Sequence, residues 1–272
     1  MGMRILTLNT WGTRGERDER EARFRDRLEQ LAPDVVTLQE TVLTAEAQQS
    51  RRLLGEQFHL AEQQDRESGG RGVPGGQGIT TAPRWPFGRV FEVDLHLTER
   101  TGDFACTCLV TEILAPEPFG RIWVANHFPD YQLDHERERR LQTAEVAREL
   151  ERIVEDAPGH VVIAGDMDAD ADADSIRFLT GRHVIDDLSV CYRDAWEATH
   201  PGEALTSYSP SNPYQKDPDW PFRGIDHVMV RCAASGPTLL ATSCARVFDL
   251  GPDTISDHYG LAVDYRPAPP AV

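Results

Sequence analysis

At several separate places along this chain, a short apolar run that reads as a β-strand ends on, or starts from, a polar or ionisable side chain. Asn9 follows Leu6-Thr7-Leu8, Glu40 follows the run at 35–39, His127 follows 122–126, and Asp166 and Asp168 follow 161–165. Asp226 and His227 stand just before Val228-Met229-Val230, and Asp257 and His258 just before Tyr259-Gly260-Leu261. Continuous apolar runs such as Val161-Val162-Ile163-Ala164 belong to strands buried on both faces. A chain built from them has to be layered, and in a sheet sandwich such strand ends can meet at one rim, where loops carry function.

The pattern between these points agrees. Residues 5–10 read as a strand, and 17–31 as a charged helix with Phe24, Leu28 and Leu31 on one face, stopped by Pro33. The run 35–38 reads as a buried strand, 45–54 as a second helix, and the glycine-rich stretch 69–78 as a surface loop. Strands are expected at 79–81, 89–95, 104–114 and 121–126, in a succession close enough for antiparallel neighbours. The longest helix is expected over 134–155, with Leu141, Ala144, Leu150 and Ile153 as its apolar stripe. A strand at 161–164, a helical turn at 176–179, and strands at 225–230, 239–248 and 260–265 complete the order. The order recurs loosely in each half and favours two packed mixed sheets with helices outside. We expect one domain over residues 1–266 and a proline-rich tail at 267–272.

Taken singly, a carboxylate at a strand end is a cap or a turn residue. Taken together, several acids at one rim would repel unless a cation lay among them, and Asp, Glu and Asn oxygens suit Mg²⁺ or Mn²⁺ ahead of Ca²⁺. The formal charge of -17 disfavours duplex nucleic acid, whose affinity for proteins comes largely from basic groups on phosphates. Five cysteines without a pair spaced by two residues argue against a disulfide framework. With no apolar segment long enough to span a membrane and no signal-peptide pattern, the expectation is a cytoplasmic monomer.

The stretches Leu8-Asn9-Thr10-Trp11-Gly12, Leu38-Gln39-Glu40, Ala125-Asn126-His127, Gly165-Asp166-Met167-Asp168, Gly224-Ile225-Asp226-His227 and Ser256-Asp257-His258-Tyr259 occur in the order of the endonuclease/exonuclease/phosphatase superfamily. The resemblance runs from about Arg4 to Tyr265. It implies a four-layer αββα sandwich of the DNase I-like kind, an α/β fold, and a divalent-metal-dependent phosphoester hydrolase. It also implies roles. Glu40 resembles the main metal carboxylate, with Asn9 and Asp257 in or near the coordination shell. Asp166 resembles the residue that orients or deprotonates water. His258 resembles the imidazole that touches the phosphoryl group, with Asp226 as its acidic partner, and His127 resembles a second histidine on the phosphate.

One position departs from that pattern. The family usually has Gly-Asp-x-Asn where this chain has Gly165-Asp166-Met167-Asp168. An amide that could donate to phosphate is replaced by an acid that, ionised, cannot. Asp168 then either binds metal or is held protonated, and metal binding is the expectation. The aspartates at 166, 168, 170, 172 and 174 do not make an EF-hand, because its sixth and twelfth positions are not Gly and Glu. Asp170 and those after it read as a solvated loop. The aromatic and proline-rich stretch 208–222 reads equally as a rigid loop and as a substrate-recognition loop. His59, His96, His160, His183 and His200 show no paired ligand spacing and read as structural or surface residues.

The expected substrate is a small organic phosphate, a nucleotide or a phospholipid head group, cleaved by in-line attack of an activated water. The alternative enzyme is a metal-dependent endo- or exonuclease. The alternative of another class is a catalytically silent scaffold that binds phosphate or a partner. The presence of Glu40, Asp166, Asp226 and His258 weighs against it, since a binding module needs no water-activating carboxylate.

Overall fold

The structure is a computed structural model of the chain and describes residues 2–64, 76–101, 106–249 and 251–269. In chain order its elements begin with β1 (Met3–Asn9), α1 (Arg17–Leu31), β2 (Val35–Val42), α2 (Gln49–Leu54), β3 (Ala61–Glu62), β4 (Gln77–Pro83), β5 (Phe87–Asp94), β6 (Thr107–Leu114) and β7 (Arg121–Phe128). They continue with α3 (Glu136–Asp156), β8 (His160–Asp166), α4 (Asp174–Leu179), β9 (Tyr192–Asp194), α5 (Ala195–Thr199), β10 (Asp226–Ala233), β11 (Gly236–Pro237), β12 (Leu239–Val247) and β13 (Gly260–Pro267).

Strand alternation sets the layering. In β1 and β2, Ile5 and Val35 face one way while Leu6, Leu8, Val36 and Leu38 face the other. The first set packs against Val124, Val162, Ala164, Val228 and Val230 of a second sheet. The second set packs under Phe24, Leu28 and Leu31 of α1 and Leu53 and Leu54 of α2. The second sheet repeats the division, with Trp123, Ala125, Val161 and Ile163 turned to Ala144, Ala147, Leu150 and Ile153 of α3. Each fully buried aliphatic side chain stabilises these interfaces by roughly 1.5–3 kcal/mol. Truncating one, for instance Leu150→Ala, would cost about 2–5 kcal/mol.

One sheet runs β12-β13-β1-β2-β4-β3, and the other β11-β10-β8-β7-β6-β5 with β9 added on β10. The parallel pairs β1/β2 and β7/β8 are joined by α1 and α3, since parallel neighbours need a long crossover, most often a helix. The fold is therefore the expected four-layer αββα sandwich.

Local corrections have local causes. The second helix starts at Gln49, later than the expected residue 45, because Gln48 takes a left-handed φ of 43°. The Gln49 side chain then accepts the Val42 amide at 2.8 Å. Pairing with Leu239 carries β13 to Pro267. The rest of the expected tail from 270 and the part of the glycine-rich stretch up to 75 lie outside the described residues.

Candidate active site

The sheet order brings the motif-bearing ends to one rim. Asn9 ends β1 beside Gln39 in β2, and Asp226 opens the antiparallel β10 opposite Asp166 at the end of β8. His258 and Asp257 sit just before β13, which pairs antiparallel with β1. Glu40 has φ 54° and lies in a register shift of β2 between Leu38 and Thr41. Such a bulge re-aims a side chain, and here the Glu40 carboxylate reaches Asn9.

Asn9 is the hub. Its Nδ2 donates to Glu40 Oε1 at 3.1 Å and to Asp166 Oδ2 at 2.9 Å, while its Oδ1 accepts the Trp11 amide at 2.9 Å. His258 Nδ1 lies 3.0 Å from Asp226 Oδ2, and its Nε2 lies 3.7 Å from Asp166 Oδ2. Asp226 is fully enclosed, its amide donating to Ser207 Oγ at 3.1 Å, and its buried Oδ1 has no hydrogen-bond partner among the described residues. Asp168 has φ 49° and donates its amide to Asp166 Oδ1 at 3.2 Å.

Burial dominates the electrostatics. It pushes Asp166 up to about 7, against the opposing pull of His258 and with the added push of Asp226. Asp168 is raised well above the carboxylate range by burial and by Asp166. Asp257 goes up to about 6, chiefly through burial and partly through Glu40. Burial works against a charged His258, yet Asp226 and Asp166 raise its pKa well above that of a free imidazole. The His258 imidazolium thus lies beside Asp226 and Asp166 within a group of buried acids.

Oxygen ligands gathered in this way fit a hard cation. Carboxylate oxygens of Asp166 and Asp226 and a ring nitrogen of His258 lie within 4.8 Å of one another, and with His258 charged the oxygens, Asp226 Oδ1 among them, are the ligands on offer. Glu40 and Asp257 lie alongside. The cluster could therefore hold a divalent metal.

His127 is the exception among the expected site residues. Side chains aligned across a sheet share a face, and the row holding Gly165 and His227 alternates with the row holding Asp166 and Asp226. The His127 backbone abuts Gly165, where a Cβ would fall 2.2 Å from the His127 carbonyl oxygen. The His127 ring therefore points away from the rim, toward α3, with Nε2 3.4 Å from Thr143 Oγ1. Burial drives its pKa down to about 3, so it is neutral and enclosed. It has no charge to offer a phosphate, and the expected contact is corrected.

Other residues were not legible as site components. Arg14 Nη1 lies 2.6 Å from Glu40 Oε2, and Gln77 Nε2 donates to the same oxygen at 3.1 Å. Gln39 and Asn126 join the two sheets beneath the site, Gln39 Nε2 to Asn126 Oδ1 at 2.8 Å. Asp170, expected in a solvated loop, accepts the amides of Arg223 and Gly224 at 2.9 and 2.7 Å and so ties the loop after β8 to the entry of β10. The Tyr208 ring lies 4.8 Å from that of His258, which sets the stretch 208–222 against the cluster.

No curated protein matches this sequence. Solved structures share the fold. Zebrafish (D. rerio) TDP2 complexed with single strand DNA product superposes with a TM-score of 0.72 at 17% identity, covering 97% of this chain and 99% of that one. The human Nocturnin catalytic domain with bound sulfate gives 0.73 at 15% identity, over 98% and 95%. An endonuclease/exonuclease/phosphatase from Bacteroides vulgatus gives 0.72 at 17% identity, over 98% and 100%. The profile of the Endonuclease/Exonuclease/phosphatase family matches residues 6–258, a span that contains every residue of the cluster, and the chain belongs to that family.

Proposed function

We propose that this member of a family of metal-dependent phosphoester hydrolases cleaves a small organic phosphate ester, a nucleotide or a phospholipid head group by in-line attack of water. The observation that carries the reading is the meeting of Asn9, Glu40, Asp166, Asp226 and His258, drawn from both sheets, in one hydrogen-bonded group.

In this reading Asp166 takes the proton of the attacking water. Its buried carboxylate is matched to a base working near neutral pH. Asp226 fixes the His258 ring through Nδ1 and keeps it charged, so that Nε2 can donate to a phosphoryl oxygen. Asn9 holds the Glu40 and Asp166 carboxylates at a fixed separation. Glu40, Asn9, Asp257 and Asp168 would hold the cation, Mg²⁺ or Mn²⁺ on the hardness of their oxygens. When bound, it supplies neutralising charge for the non-bridging oxygens. Among the described residues no helix is long and apolar enough to cross a membrane. Five cysteines free of disulfides fit a reducing, cytoplasmic setting.

A second reading, cleavage at single-stranded nucleic-acid ends, draws on the TDP2 neighbour solved with single strand DNA product. The charge of -17 weighs against it. Incubating the protein with phosphomonoesters, phosphodiesters, single-stranded oligonucleotide and plasmid, with and without chelator, separates the two. Chelator-sensitive turnover of small esters supports the first reading. Turnover confined to oligonucleotide supports the second, and no turnover of any substrate removes both.

A further inference from the structure

Arg20 lies in the first turn of α1, four per cent exposed, and among the described residues no carboxylate is bonded to its guanidinium. Every N–H it uses goes to a backbone carbonyl. Nη1 donates to Thr10 O at 3.0 Å and to Ile255 O, Nη2 to Gly12 O at 3.0 Å and Arg14 O at 2.7 Å, and Nε to Arg14 O at 3.1 Å. The plane also sits over the Trp11 ring, 5.2 Å from its centroid.

Those carbonyls belong to two segments far apart in sequence. Residues 10–14 follow Asn9 and carry Arg14, whose side chain reaches Glu40. Ile255 precedes Ser256, Asp257 and His258. The first segment is strained, since Trp11 holds a φ of 57°, a left-handed conformation that costs a non-glycine residue roughly 1–2 kcal/mol. A buried guanidinium is an expensive group to use as a mere strut. Its fixed fork of five donors suits one purpose here, holding several carbonyls of two loops in a single plane.

We propose that Arg20 is a positioning residue that locks the loop after β1 to the loop before β13, and thereby sets the separation of Asn9 from Asp257 and His258. The role rests on the functional reading above only for its effect on turnover; the clamp itself is a statement about two loops. Lysine at this position keeps the charge but offers three donors from a single point, too few and too compact to reach both segments.

The test compares wild type with Arg20→Lys and Arg20→Ala, by hydrogen exchange and by turnover of the best phosphate ester. For Arg20→Lys we expect faster exchange confined to residues 10–14 and 254–258, a loss in kcat of about 10²-fold with KM little changed, and weaker Mn²⁺ binding measured by calorimetry. Added guanidinium should restore loop protection and part of kcat to Arg20→Ala; if that variant does not fold, Arg20→Lys decides alone. Unchanged protection of both loops in Arg20→Lys overturns the clamp. So does protection lost evenly across all strands, which marks a general stabiliser. If the wild type cleaves no phosphate ester, the functional reading falls, while loop exchange still decides the clamp.

Discussion

His258 Nδ1 and Asp226 Oδ2 lie 3.0 Å apart with both side chains buried, so the imidazole is oriented by a carboxylate that water does not reach. Asp226→Asn keeps the shape and removes the charge. It is expected to lower kcat by about 10²–10⁴-fold with little change in KM, the range for losing a positioned acid–base group. Steady-state kinetics of the variant beside His258→Ala check this. If the two act as a unit, the double variant is no slower than the slower single one.

Asp168 tests the departure from the family pattern. Burial and the neighbouring Asp166 raise its pKa well above the ordinary carboxylate range. If it binds metal, Asp168→Asn should weaken Mn²⁺ affinity by about tenfold or more, a cost of the order seen when a ligating group or its support is lost. Calorimetric titration of variant and wild type measures this, and unaltered affinity together with full activity would place Asp168 outside the coordination shell.

Arg14 competes for the carboxylate assigned to the metal. Its guanidinium is 2.6 Å from Glu40 Oε2, and about half of its side chain is exposed. Such a partly exposed pair is worth at most about 1 kcal/mol. Arg14→Gln should therefore tighten Mg²⁺ or Mn²⁺ binding by no more than about fivefold, a change converted from that energy. Looser binding in the variant would mean that Arg14 assists the cation.

His127 should matter to stability more than to catalysis. Its folded pKa, about 3, lies below that of an unfolded histidine. The stability it contributes is complete above about pH 6.5 and is lost as pH falls toward the folded value, by about 3 kcal/mol between pH 6.5 and 4. His127→Gln should flatten that part of the stability profile in denaturant titrations at stepped pH. It should leave kcat within about threefold of wild type, as expected for a residue outside the reacting group.

Much of this was readable along the chain. Phe24, Leu28 and Leu31 marked the face of α1, and the apolar runs at β1, β2 and β8 implied strands covered on both sides, because periodicity records burial directly. The ionisable residues at their ends marked the rim. His127 was misjudged for a local reason. It sits in a motif beside Asn126, and one step along a strand turns a side chain to the opposite face. Asn126 bridges the sheets at 2.8 Å from Gln39, whereas His127 packs under α3. Nothing in the sequence states which of two adjacent residues faces inward until the register is known.

The sequence by itself determined the layers and the inventory of acids, amides and imidazoles, since both follow from residue type and spacing. Tertiary structure alone decided which of them meet. It placed Asp226 opposite Asp166 by antiparallel pairing, turned Glu40 to the rim through a bulge, and joined Arg20 to carbonyls on both sides of the site. Those outcomes depend on contacts between residues as many as 235 positions apart. Closing so long a loop costs entropy that many burial contacts offset jointly, so no local stretch of sequence encodes it.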